Sequence, residues 1–580
     1  MSIQALLPLP VVIPIGGAVL SPLATKLNRR LPLVIGIVAM LGSLALLVPI
    51  AARVYSGHGR VISHFFSNER PVSGHALGIA FAADPFGVAF ACLTAGLGLL
   101  LLVSMLSELG DIGARELGGL ACLAQLLLAA LIGAALTADT INLFVWFEVA
   151  ALASYGLTGF FLEQPTALEA TFKALVLTSI GGFVVFVGSA LLYSSDGALN
   201  FGQLHGVLTH QLGRPELLAL ALLLAGFATK AGLVPFHGWL PDAHAQGPSA
   251  VSAMFSALMV DLGVVAIVRI SLQVYGPSAG HHLLGLLTGL GIASALLGAA
   301  MALVQDNLKR LLAWDTVSQM GILVVGFASA TKEGVAGATY HLINHGLFKA
   351  LLFLCAGAVV HATGITRLSE MGGLARRRPL LTAGFTVGSL AIAGVPPLNG
   401  FASLGLIHEG INDEPFVLVL ALLAQVITVA ALARAAYLAF YRRREERYEH
   451  FEPSRLGMRI SLVVLGIGCV AFGALPNLIV EHVAAPAASI LLHPATYAGG
   501  VLSGTADVPR LDVTFSYGNV GDLVLAAVEV VLGLLLAVAY LRVDEPRAVT
   551  WFRRLHTGSV NDYAAFASAG IVLAGFVLLQ

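Results

Sequence analysis

The chain has 580 residues, of which 58% are hydrophobic and only 11% charged, with a formal net charge of −1. A soluble domain carries roughly 25% charged residues, so this chain cannot coat a water-facing surface of its own size. Its near-zero charge offers nothing to nucleic acid. With a mean hydropathy of +0.89 and recurring apolar runs of about 20 residues, it reads as an all-α polytopic membrane protein.

In chain order, about sixteen spans are expected, near 8–24, 31–51, 79–106, 115–137, 139–162, 170–194, 215–236, 248–272, 281–304, 309–330, 335–361, 379–409, 414–441, 459–481, 520–541 and 563–579. The first lacks a basic stretch before it and reads as a retained helix rather than a cleaved signal. Cys92, Cys122, Cys355 and Cys469 stand far apart in apolar runs, without the spacing of a disulfide framework, an iron–sulfur cluster or a zinc site. No nucleotide loop or flavin motif is present either, so no cofactor is expected.

Short loops rich in Lys and Arg stay cytoplasmic. The basic clusters KLNRR (26–30), NLKR (307–310), ARRR (375–378), RRREER (442–447) and RAVTWFRR (547–554) follow spans 1, 9, 11, 13 and 15. All five fall on one side, which predicts both termini outside the cytoplasm.

Two spans look broken: FATKAGLVPFHGWLP (227–241), which holds Pro235, and AIAGVPPLNGFAS (391–403), which holds Pro396 and Pro397. Proline removes an intrahelical hydrogen bond, and in a membrane that is tolerated only where protein or water satisfies the freed groups. The broken spans are five apart, an odd offset that gives them opposite orientation. Such a pair points to inverted repeats around a transport path. Residues 482–519 read as a polar, Pro/Gly-rich outer loop that sets 482–580 apart from the core.

Ionisable residues recur inside the spans: Glu148, Lys173, Lys230, Asp261 and Lys349. Each costs at least ~2.5–3.5 kcal/mol at a bilayer centre, unless such groups face each other or water. Lys173, near the start of its span, is read equally well as a lysine snorkelling to the surface. Glu148, Lys230 and Lys349 lie deeper and point to function. His341, His345 and Lys349 form one helical stripe in YHLINHGLFK (340–349). Two histidines at this spacing can chelate a metal, but no third ligand is evident and Lys349 would repel a cation. A proton relay accounts for all three.

The motifs KAGLVPFHGWLPDAHAQGPSAVSA (230–253), NLKRLLAWDTVSQMG (307–321), YHLINHGLFKALLFLCAGAVVHATG (340–364) and GVPPLNGF (394–401) resemble the antiporter-like proton-channel family. That family holds the D subunit of Mrp antiporters, the L, M and N subunits of complex I, and the large membrane subunits of energy-converting hydrogenases. The resemblance implies a fourteen-helix core with two inverted five-helix repeats, at 111–275 and 276–441. N-terminal helices (1–110) precede them; a last core helix (442–481) and an extension (482–580) with about two further spans follow.

The resemblance places Glu148 and Lys230 at the family's glutamate–lysine pair and Lys349 at its second-half lysine, with His341 and His345 beside it. Lys173, His237, Asp261, His408 and Glu409 are possible contributors. Two positions depart from the family pattern: Asp261 stands where lysine is common, and Leu404 where lysine or glutamate is common. Asp261 is open to pairing with Lys230, binding a cation or interrupting conduction. TADTINLFVWFE leans toward the Mrp D type, whereas PPLNGFAS and RLHTGSVNDYAAFASAG (554–570) lean toward the hydrogenase and L-like members.

The expected function is that of a proton-translocating subunit of an Mrp-type cation/proton antiporter. The alternatives are the pump subunit of a hydrogenase or complex I-like oxidoreductase, a non-conducting scaffold, and a solute carrier. The expected partners are other integral membrane subunits, protons and Na⁺. The Gly/Ala/Leu-rich composition suggests a bacterial cell membrane.

Overall fold

The computed structural model describes residues 2–66, 71–72, 74–76, 78–108, 112–161, 163–210, 212–443, 455–542 and 558–580. Among these, 14 helices are long and apolar enough to cross a membrane. The cluster RAVTWFRR and most of RRREER lie outside the described residues.

Two further apolar helices among the described residues are interrupted. Arg214–Ala231 stops at Gly232 and resumes through His237–Trp239 and Leu240–Gln246. Pro379–Ile392 stops before Gly394 and resumes as Asn399–Gly410. Gly232 and Gly394 both have φ of 67°, a left-handed conformation that glycine adopts without a Cβ penalty. Pro235, Pro396 and Pro397 then prevent the ladder from restarting at once.

Backbone groups freed at these breaks are met by side chains of neighbouring helices and of the resumed helix itself, as a membrane requires. At the first, Trp239 Nε1 donates to Thr229 O (2.7 Å) and Val234 N to Ser294 Oγ (2.9 Å). At the second, Gln425 Nε2 donates to Ile392 O (2.6 Å) and Asn344 Nδ2 to Asn399 O (2.9 Å).

Each broken helix follows a helix of 32 residues, Pro165–Asp196 in one case and Lys332–Thr363 in the other. Close approach is permitted by glycine: a Cβ on Gly337 would lie 2.7 Å from Ile407 N. Three of the basic loops meet at one end of the bundle. There Arg442 Nη2 donates to Ser369 O (2.8 Å), Gly373 N to Arg442 O (2.9 Å), and Asn307 bridges to Arg367.

The opposite end carries two features that the apolar pattern hid. Strands β1 (Arg60–Phe65), β2 (Ala80–Ala83) and β3 (Thr505–Asp507) form an antiparallel sheet in the order β2-β1-β3. The third span therefore begins at Pro85 rather than near 79. Residues 482–519 are not simply a loop. Pro476–Leu492 and Pro494–Ser503 are helical and meet at 90°. Pro476 and Pro494 stand in first turns, where no intrahelical donor is lost, and the run AAPAASILL (484–492) supplies an apolar face. Tyr517 donates to Gly473 O, and Asn477 Nδ2 to Phe515 O (2.9 Å), so this segment returns to the face where the preceding span ended.

The last two spans pack on the core, one beside each break. Val560–Leu579 sets Tyr563 and Gly570 against Gly238 and Pro235. Val520–Arg542 closes on Pro415–Tyr441 through Gly533, which faces Val429.

Candidate functional site

Thr140–Thr158 begins with Asp139 accepting from Asn142 N (2.8 Å), and this register turns Glu148 inward. Its Oε1 is buried without a hydrogen-bond partner and faces Gly182 of the neighbouring long helix. Lys230 is fully buried just before the first break, and its Nζ also has no hydrogen-bond partner. The ammonium lies 5.2 Å from the centroid of the Phe147 ring and within coulombic range of Glu148. The two expected partners are thus brought together without closing into an ion pair.

Beyond the break, His244 is fully buried among the rings of Trp239, Phe255 and Phe353. Its ring nitrogens approach the Leu240 and Phe255 backbones without an aligned hydrogen bond, and it lies within coulombic range of Lys349 and His345. The resumed part of the first broken helix therefore carries a titratable group toward Lys349 and His345.

In the second half, His341, His345 and Lys349 are all fully buried on one face of Lys332–Thr363. Lys349 Nζ pairs with Asp315 Oδ2 at 2.5 Å and donates to Leu312 O at 3.1 Å. His345 Nδ1 lies 3.1 Å from Asp261 Oδ1, close enough for an ion pair but without hydrogen-bond alignment. His341 contacts Gln319 Oε1 (3.0 Å) through Nε2 and Ser403 Oγ (2.9 Å) through Nδ1. Asp261 thus faces His345 and Lys349, and not Lys230. Among the described residues no group of three or more His, Cys, Asp or Glu is arranged to hold a metal ion.

The remaining candidates lie apart from this line. Lys173 pairs with Glu169 (2.5 Å) and Asp242 (2.9 Å), and Asp242 also pairs with Arg310. His237 packs against Trp314 and Tyr563 at ring-centroid distances of 5.3 and 6.3 Å. His408 lines a small cavity beside the second broken helix, while Glu409 is exposed at its end. Pro235, Pro396 and Pro397 sit in the breaks themselves.

Asp315 and His244 complete the line, and neither was singled out by sequence. Both carried a signal. Asp315 is an ionisable residue inside an otherwise apolar span, within the motif NLKRLLAWDTVSQMG, and His244 lies one helical turn after the first break.

A cleft at the end where the basic loops meet is lined by Glu108, Ser249, Lys309 and His361. Ser249 donates to Glu108, and Lys309 Nζ to Gly247 O at 2.8 Å.

Residues 137–428 match the family model described as NADH:quinone oxidoreductase/Mrp antiporter, transmembrane. The chain is 31% identical to the D subunit of the Na(+)/H(+) antiporter of Alkalihalophilus pseudofirmus, over 85% of its own length and 98% of that protein. It is 32% identical to the N subunit of the NADH-quinone oxidoreductase of Desulforudis audaxviator, over 70% of its length and 84% of the other. Among solved structures, a chain of the Mrp complex from Dietzia sp. superposes with a TM-score of 0.78 at 25% identity, covering 87% of this chain and 100% of that one.

Proposed function

The chain belongs to the NADH:quinone oxidoreductase/Mrp antiporter transmembrane family, and we propose that it is a proton-translocating subunit of a multisubunit membrane complex, of the Mrp antiporter D type. The observation that carries this reading is the set of interior titratable groups: half-buried Glu148 beside Lys230, and the fully buried His244, Lys349–Asp315, His345–Asp261 and His341. It reaches from the first broken helix to the second.

Every member of the series binds or releases a proton, and its charges interact strongly in a low-dielectric interior. When Lys349 gives up its proton, Asp315 and Asp261 lose a neighbouring positive charge, and each then holds a proton more readily. The same argument couples Glu148 to Lys230. A charge displaced at one station therefore changes the proton affinity of the next, which allows a neighbouring protein of the complex to drive or sense translocation. The regions 111–275 and 276–441 serve as the two inverted half-channels, each built around one broken helix. The cleft at Glu108 and Lys309 is the cytoplasmic inlet, since the basic loops gather there. On this reading the protein spans the cell membrane with both termini outside. The preference for the antiporter type rests on the coverage shared with the antiporter relative, 98% of that protein.

The relative named as part of an NADH-quinone oxidoreductase supports a second reading, in which the same half-channels serve a redox-driven pump. Purification of the complex in mild detergent with its native partners separates the two. Small hydrophobic subunits without redox centres would support the antiporter, whereas subunits carrying flavin, nickel or iron–sulfur clusters would support the pump. Isolation as a fully active single chain would contradict both.

A further inference from the structure

The C-terminal helix Val520–Arg542 has a buried stripe of Ala526, Glu529, Gly533 and Ala537. Three of these are small, as expected of a helix that closes tightly on its neighbour. Glu529 is the exception. It lies near the middle of the span, is only 4% exposed, and its Oε1 has no hydrogen-bond partner. Docking alone does not call for a carboxylate there, because an ionisable group inside a membrane is costly unless it has a task.

Its surroundings supply one. Glu529 lines a cavity with Gly394, Leu404, His408 and Asp522. Gly394 is at the second break, and His408 is in the last turn of the half-helix Asn399–Gly410. Asp522, two helical turns before Glu529, is about 10 Å away along the axis, toward the end of the span. The exposed Glu409 nearby is within coulombic range of Asp522, Glu333 and Lys332. On the other side His341 reaches this half-helix through Ser403 (2.9 Å) and lies within coulombic range of His408. The cavity, lined by His408 and Asp522, therefore lies between the half-helix that His341 contacts and the charged residues near its end. Within it the broken helix presents the apolar Leu404 and the packed helix presents Glu529.

We propose that Glu529 is a proton-binding station on the outlet of the second broken helix, supplied by the C-terminal helix across the cavity from Leu404. This rests on the reading of the chain as a proton-translocating subunit. An O–H bond forms at the Glu529 carboxylate as the N–H bond of protonated His408 breaks. The proton then leaves through Asp522 to water, and the carboxylate is restored with no other reactant consumed.

The test is proton uptake by the assembled complex in lipid vesicles, followed with a pH-sensitive dye. Glu529→Gln is expected to lower the rate by about tenfold or more. Leu404→Glu in that background, which places a carboxylate in the same cavity, is expected to restore much of it. A purely structural role for Glu529 would not give that rescue. Wild-type uptake by Glu529→Gln, while Glu148→Gln and Lys349→Ala are inactive, overturns this proposal and leaves the proposed function standing. Wild-type uptake by all three variants overturns both. Should Glu529→Gln fail to assemble, dicyclohexylcarbodiimide, which attacks protonated carboxyl groups in apolar surroundings, gives a second measurement on the wild-type complex. Labelling of Glu529 with a parallel loss of uptake supports the proposal, and an unlabelled Glu529 overturns it.

Discussion

Asp315 and Lys349 are held 2.5 Å apart between two transmembrane helices, with neither side chain exposed. Removing one member of a buried pair leaves an uncompensated charge and costs about 3–5 kcal/mol, whereas replacing both with apolar groups of similar volume is often neutral. Asp315→Leu is therefore expected to lower the melting temperature of the complex. Asp315→Leu with Lys349→Met is expected to recover it. Proton uptake should be lost in both, separating the pair's role in translocation from its effect on stability.

Lys230 makes the opposite case. Its ammonium is buried with no hydrogen bond, 5.2 Å from the centroid of the Phe147 ring. A charge in that position weakens the fold. Lys230→Met is expected to leave the melting temperature unchanged or raise it, while uptake falls by about tenfold or more. A marked loss of stability would show that Lys230 is needed for packing.

Gly182 leaves the space that the Glu148 carboxylate occupies, and a Cβ there would overlap Oε1. The carboxylate is the free end of a flexible chain, so it can swing away at small cost. Gly182→Ala is expected to impair uptake with little net change in stability, because the crowding cost of about 1–3 kcal/mol is partly offset by the roughly 1 kcal/mol that alanine gains over glycine inside a helix. Uptake and thermal unfolding measured on the same preparation check this.

Not every buried charge belongs to the proposed path. Arg269 is held by Asp84 (2.8 Å), Ala135 O (2.8 Å) and Gln273 (2.7 Å). It joins the third and eighth spans. Asp84→Leu is expected to destabilise the complex by about 3–5 kcal/mol, and Asp84→Leu with Arg269→Met to recover stability together with near-normal uptake. Loss of uptake in the stable double variant would place this pair in the path.

The spans and the two breaks were legible because the bilayer imposes simple rules: about 20 apolar residues per span, and a glycine and prolines wherever a helix stops in mid-membrane. Glu148, Lys230, His341, His345 and Lys349 stood out for the same reason, as titratable groups in apolar runs. What those groups face was not legible. Hydrophobic periodicity says that a residue is buried, and only the packing of distant helices puts Asp315 on Lys349 or Asp261 on His345. The sheet was hidden because a strand such as AFAA (80–83) runs straight into an apolar helix. The helices at 476–503 were hidden by their prolines, of which Pro476 and Pro494 occupy first turns. Glu529 lay in a segment read as an extension, where one carboxylate in an apolar run points to no partner until the helix is seen against Leu404 and His408.

The central claim is that protons cross this chain through the line joining Glu148 to Lys349. The most direct test is the initial rate of proton uptake into vesicles holding the assembled complex, compared among the wild type, Glu148→Gln and Lys349→Ala at equal incorporation. Both variants are expected to lose about nine-tenths of the rate or more while the complex remains assembled. Wild-type rates in both would contradict the account.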